Sequence, residues 1–249
     1  MIRAVTVDFW GTLVRDGPAA DDRYRGRRLA DFEMILAAAG LPVAARNLAR
    51  GYRFSARELA WVWSRNEDVS PERHVAAILE GTEAGLSARV SEETVARLVD
   101  AYARPALASP PEADRGAAEG LRQLAARGLR LAVVSNTMRT PGRTLRKVLE
   151  GHGLLTFFDY LTFSDEVGVR KPAAEIFRLT LDRLEVDPGE AIHVGDDPVL
   201  DVEGARNASM RTIQVSAEDA PFARARADAA IRDLGELPDA VARLAAASR

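Results

Sequence analysis

Cysteine is absent from the 249 residues, which excludes disulfides, thiolate nucleophiles and cysteine-ligated zinc. Long apolar runs are missing as well, and no stretch approaches the roughly twenty residues that a membrane span needs. Neither sign of charge dominates: 34 Lys and Arg stand against 37 Asp and Glu, a net charge of −3. Nothing therefore suggests nucleic acid or an anionic membrane as a partner. The arginines from Arg23 to Arg28 read as a solvated helix face. The chain enters an apolar stretch without a charged-then-apolar leader, so the expectation is a cytoplasmic protein. Its 47% hydrophobic residues are enough for a full α/β core with a smaller second unit.

The most telling stretch is Ala4-Val5-Thr6-Val7-Asp8-Phe9-Trp10-Gly11-Thr12-Leu13. An apolar, strand-like run delivers one carboxylate into a tight Gly-Thr turn. An aspartate at the carboxyl end of a buried parallel strand lies where open α/β sheets bind ligands. Asp8 thus reads as a nucleophile or a metal ligand, although taken alone it also fits a helix cap.

Beyond it, Arg15 to Ala20 is a polar loop containing Gly17-Pro18. From Arg23 to Arg104 the pattern is helical, with Leu29, Phe32, Ile35 and Leu36, then Val75, Ile78 and Leu79, at 3.6-residue spacing. Ser70 and Ser91 are expected N-caps, and Trp61 and Trp63 are expected to pack inside this helical unit. His74 reads as a partly exposed helix residue rather than a catalytic acid. A Pro-rich linker, Pro105 to Pro111, closes the segment. Strands then alternate with helices: strands at 129–134, 160–163, 191–194 and 211–215, and helices at 117–127, 141–151, 173–184 and 202–208. An edge strand at 229–231 and a C-terminal helix follow. This alternation predicts a doubly wound parallel sheet.

Three further stretches fall at strand ends: Val134-Ser135-Asn136-Thr137, Arg170-Lys171-Pro172, and Gly195-Asp196-Asp197-Pro198 running on to Asp201. With Asp8, and in this order, they resemble the four motifs of the haloacid dehalogenase-like (HAD) hydrolase superfamily over nearly the whole chain. The resemblance implies a Rossmann-like core, residues 1–14 and 107–249, with an inserted α-helical cap of the C1 type, residues 15–106. It also implies a hydrolase of the phosphatase type, a phosphoric monoester hydrolase acting on a small phosphorylated substrate, working as a monomer or homodimer.

The residue roles come with it. Asp8 is the nucleophile that forms an aspartyl-phosphate. A magnesium ion, Mg2+, is held by Asp8, the Trp10 carbonyl and Asp196, in keeping with its preference for hard oxygen ligands. Ser135 and Lys171 support catalysis, and Thr12, Ser135, Asn136 and Lys171 contact the phosphoryl group. Asp201 stands behind these residues and orients Lys171 or a metal water; Asp197 shares that role or caps the turn. Arg25, Arg27, Arg28 and Arg53 are candidates, by residue type alone, for touching an anionic substrate.

One position departs from the phosphatase pattern Asp-x-Asp-x-Thr: the second Asp is Trp10. That Asp would protonate the leaving group and activate water, and indole can do neither. Three readings follow. The first is a phosphatase that finds its acid elsewhere or needs none. The second is a 2-haloacid dehalogenase-like enzyme, whose branch carries an aromatic residue there and dispenses with metal. The third is a weakly catalytic or non-catalytic phospholigand-binding protein.

Overall fold

β1 (Ala4–Val7) is buried at all four positions, the signature of a parallel strand covered on both faces. The computed structural model describes residues 1–17, 19–216 and 227–247. Pro18, half of the Gly17-Pro18 loop signal, lies outside them. After β1 come β2 (Val14–Arg15), α1 (Ala20–Ala38), α2 (Ala45–Trp63), α3 (Pro71–Thr82), α4 (Leu86–Arg89), α5 (Glu92–Ala103) and α6 (Pro105–Ala108). β3 (Glu112–Ala113), α7 (Ala117–Ala126), β4 (Arg130–Ser135), α8 (Gly142–Gly151), β5 (Tyr160–Phe163), α9 (Ser164–Val167) and α10 (Ala174–Leu184) lead to β6 (Ala191–Gly195). α11 (Gly204–Asn207), β7 (Arg211–Val215), β8 (Ala229–Ile231) and α12 (Leu237–Ala246) complete the order.

The main sheet runs β5-β4-β1-β6-β7-β8, and every pair in it is parallel. Alternation along the strands splits its apolar residues between two faces. Val5, Val7, Leu131, Val133, Ile192 and Val194 join one core cluster. Ala4, Ala132, Val134 and Ala191 join another, with Ile176 and Phe177 of α10. Each fully buried Leu, Ile or Phe in such a core contributes about 1.5–3 kcal/mol.

The helical elements build a third cluster of their own, in which Phe32, Ile35 and Leu36 of α1 meet Val75, Ile78 and Leu79 of α3. The predicted periodic faces are therefore the buried ones. Several details differ from the sequence reading. Ser91 caps α5 by accepting from Thr94 N at 3.3 Å, whereas the Ser70 side chain makes no capping bond. The Pro-rich linker contains a helical turn, α6, because Pro105 fits a first-turn position. The helix expected from Val202 begins earlier, as a π-type turn over Pro198–Glu203, because Asp197 accepts from both Val199 N and Leu200 N at 2.8 Å. Trp61 is 61% exposed beneath a stacked Arg65 rather than packed inside. His74 and Arg28 are buried, where a partly exposed and a solvated residue were expected.

The chain crosses between the helical layer and the sheet at one place. There β2 and β3 pair as a short antiparallel ribbon, Val14 opposite Ala113 and Arg15 opposite Glu112. A second contact ties the layers between α2 and α3. Asp68 accepts from Arg170 Nη1 at 2.7 Å, Ser164 Oγ at 2.5 Å and Trp63 Nε1 at 3.0 Å, and the Arg170 guanidinium stacks on Trp63 at 4.5 Å. Both charged groups are buried. Arg170→Met strands the Asp68 carboxylate and is expected to cost about 3–5 kcal/mol in urea unfolding. A loss below 1 kcal/mol would mean that this pair does not hold the layers together. No helix among the described residues is long and apolar enough to cross a membrane.

Candidate active site

The carboxyl ends of β1, β4 and β6 converge on Asp8, with the loop between α9 and α10 bringing Lys171. Lys171 Nζ donates to Asp8 Oδ1 and, at 2.6 Å, to Asp201 Oδ1. All three side chains are buried. Asp201 is further fixed by His193 Nε2 at 3.1 Å and by Asp197 N, which donates to Oδ2 at 3.0 Å. His193 Nδ1 lies 2.8 Å from Thr6 Oγ1. Burial pushes His193 below the usual imidazole range. The neutral ring then donates from Nε2 to Asp201 and accepts at Nδ1 from the Thr6 hydroxyl.

The charges do not balance. Against the penalty of burial, Lys171 and His193 hold Asp201 well below the usual carboxylate range. Burial pushes Asp8 up to about 8 despite Lys171, with Asp201 and Asp196 adding to the rise. Burial and Asp201 likewise raise Asp196 to about 6. One ammonium serves two buried carboxylates with a third, Asp196, close by, so the cluster is short of positive charge.

A cation fits that shortage. Asp8, Asp196 and Asp201 each place a carboxylate oxygen within 4.8 Å of the others. Gly11, at φ +78°, leaves the space that the Asp196 carboxylate fills, and a side chain at Gly195 would overlap Asp201. Both Asp201 oxygens are already engaged, so Asp8 and Asp196 are the carboxylates with capacity left. Such an all-oxygen donor set suits a hard ion of the Mg2+ type. Two buried polar atoms nearby, Thr12 Oγ1 and Trp10 Nε1, have no partner among the described residues.

The remaining predicted residues separate. Ser135 is fully buried, and the hydrogen bond its hydroxyl makes among the described residues is a long 3.4 Å contact to the Asn136 carbonyl. Asn136 spends its side-chain amide on Lys171 instead. Nδ2 donates to Lys171 O at 3.0 Å, and Oδ1 accepts from Lys171 N at 2.9 Å. Asp197 caps its turn, so its carboxylate is not turned to the cluster. A cavity of about 510 Å³ opens on Trp10 and Gly11, with Tyr52, Trp63, Arg25 and Arg28 among its lining. Arg53 and Arg27 are exposed, and Arg27 pairs with Asp31 at 3.1 Å.

Sequence reasoning passed over His193 and Thr6. The available signal was a polar residue in each of two otherwise apolar strands, and the register that places Thr6 opposite His193 exists only once the sheet is built.

Three comparisons bear on this arrangement. A family model described as haloacid dehalogenase-like hydrolase matches residues 2–209. Haloacid dehalogenase-like hydrolase domain-containing protein 3 of Mus musculus is 39% identical over 118 residues, 47% of this chain and 43% of the relative. A phosphoserine phosphatase of Thermus thermophilus is 38% identical over 125 residues, 49% of this chain and 47% of the relative. The matches thus span about half the length of these relatives. A 2-haloacid dehalogenase from Pseudomonas syringae shares the fold, with a TM-score of 0.67 at 24% identity over 98% of this chain and 100% of that one.

Proposed function

The chain belongs to the haloacid dehalogenase-like hydrolase family, and from that premise we propose a magnesium-dependent phosphatase acting on a small phosphorylated metabolite. In this reading residues 15–106 form the helical cap over a core of residues 1–14 and 107–249. The observation that carries it is the cluster of Asp8, Asp196 and Asp201 around a single lysine. A dehalogenase that dispenses with metal gains nothing from Asp196, whose charge only makes Asp8 a poorer nucleophile.

Asp8 attacks phosphorus, forming the carboxyl–phosphorus bond as the ester P–O bond breaks. The departing alkoxide takes its proton from water, and water then hydrolyses the aspartyl-phosphate. Lys171 holds a positive charge at Asp8 throughout, offsetting the approach of a carboxylate to a phosphoryl dianion. The Asn136 amide fixes the Lys171 backbone, and Ser135 and Thr12 offer hydroxyls to phosphoryl oxygens. Asp8, Asp196 and the Trp10 carbonyl would hold the Mg2+, whose chemistry is neutralisation of charge on the transferring oxygens.

Inorganic phosphate release from an aryl phosphate and a metabolite panel, with Mg2+ and with EDTA, tests this directly. Release is expected only with metal; equal release in EDTA counts against the magnesium assignment. The aromatic residue two positions after Asp8 favours the dehalogenase-like reading instead. Halide release from 2-chloropropionate, without phosphate release from any ester, would establish that alternative.

A further inference from the structure

Two cations near the cavity lack an anion. Arg170 and Lys171, also buried, are paired with Asp68, and with Asp8 and Asp201. Arg28, 3% exposed, and Arg139, in the loop four residues beyond Ser135, have no acidic partner among the described residues. Both line the cavity that opens on Trp10 and Gly11. Burying a guanidinium without a carboxylate is costly; Arg28 is buried and Arg139 half-buried.

The two arginines are not equivalent. Arg28 has spent its donors: Nε on the Tyr102 carbonyl at 2.8 Å, Nη1 on Tyr52 Oη at 3.2 Å, and Nη2 on the Arg139 carbonyl at 2.7 Å. It fixes the backbone of Arg139 and adds positive potential. The Arg139 guanidinium lies on the Tyr52 ring at 4.1 Å and donates from Nη2 to Ser55 Oγ at 3.1 Å. Its Nη1 is buried and donates to nothing. A planar group clamped on one face and along one edge, with a donor left over, matches a planar carboxylate. The acids bordering the cavity do not compete: Asp16 accepts from Tyr24 at 3.0 Å, Asp22 pairs with Arg25 at 3.0 Å, and Asp21 is exposed.

We propose that Arg139 selects substrates that carry a carboxylate as well as the phosphoryl group, binding the carboxylate at Nη1 with Arg28 behind it. This inference rests on the phosphatase reading for its phosphoryl half. Four residues of chain span at most about 14 Å, so one small molecule can carry both anionic groups. The substrate class is the phosphorylated small carboxylic acid.

Steady-state kinetics on a phosphorylated hydroxy acid and its neutral carboxamide, with wild type, Arg139→Met and Arg139→Lys, provide the test. Wild type should prefer the acid. Arg139→Met should raise KM for the acid roughly 10- to 150-fold, the range expected for a lost charge-assisted hydrogen bond. Its kcat, and both constants for the amide, should stay within a few-fold. Arg139→Lys, which keeps the charge without the planar edge, should fall between. Equal loss on both substrates, or no loss on either, overturns the proposal.

Calorimetry with 3-phosphonopropionate and its amide separates the two readings, because binding needs no turnover. If no ester is hydrolysed, yet wild type alone distinguishes acid from amide, the phosphatase reading fails and the carboxylate site stands. If esters are hydrolysed while wild type and Arg139→Met bind both phosphonates alike, the site fails and the phosphatase reading stands.

Discussion

Asp8→Asn is expected to lower phosphate release by roughly four to six orders of magnitude, the scale seen when a catalytic nucleophile is removed. The substitution changes one atom in a buried, closely contacted position. The amide oxygen still accepts from Lys171, and Asp201, held by Lys171 and His193, does not depend on Asp8. Stability should not suffer either. Burial pushes Asp8 from its ordinary 3.8 up to about 8. A group raised in this way opposes folding increasingly as pH climbs from its unfolded value toward its folded one. At neutral pH the neutral amide removes that opposition, so the metal-free variant should melt no lower than wild type. Stopped-assay phosphate release and a melting curve on the same sample decide the matter. A folded variant that retains full activity would sink the nucleophile assignment.

Trp10→Asp should raise kcat on an alkyl phosphomonoester by about 10²–10⁴-fold, the contribution of a positioned general acid and base. The backbone carbonyl at position 10, an expected metal ligand, is unchanged by the substitution. The indole makes no hydrogen bond at Nε1, so its loss sacrifices packing only, mainly an edge-on contact with Phe9 at 5.0 Å between ring centres. An aryl phosphate is the internal control: its leaving group needs little protonation, so its gain should be much smaller. A folded variant with unchanged or lower turnover on the alkyl ester would mean that the missing carboxyl is not what limits the enzyme.

The sheet was legible from its alternation of apolar runs and helical patterns, and Asp8 from the apolar run it ends; Ser135, Lys171 and Asp196 were singled out by the family resemblance, since each taken locally also reads as an ordinary turn or helix entry. The helical faces were legible from their 3.6-residue spacing. What escaped depends on contacts distant in sequence. Arg28 sits among exposed arginines on α1 and is buried only because Tyr102 and Arg139 come to meet it. Trp61 and Trp63, two residues apart, point to different sides of α2, one to solvent and one toward Asp68. The ribbon of β2 and β3 joins residues about a hundred positions apart with two residues in each strand, too short for any periodicity to register.

That ribbon limits how the molecule can move. Because both crossings of the chain run side by side as paired strands, the helical layer is tethered along a short line, like a leaf on a spine. Moving the layer away from the sheet would break that pairing. Away from the ribbon the layers are also joined by Asp68 on Arg170, by Arg28 on the Arg139 carbonyl and by Arg139 on Ser55, and Arg170 is bonded directly to Lys171. The residue that joins the helical layer to the sheet at Asp68 is therefore the immediate chain neighbour of the lysine that pairs with Asp8.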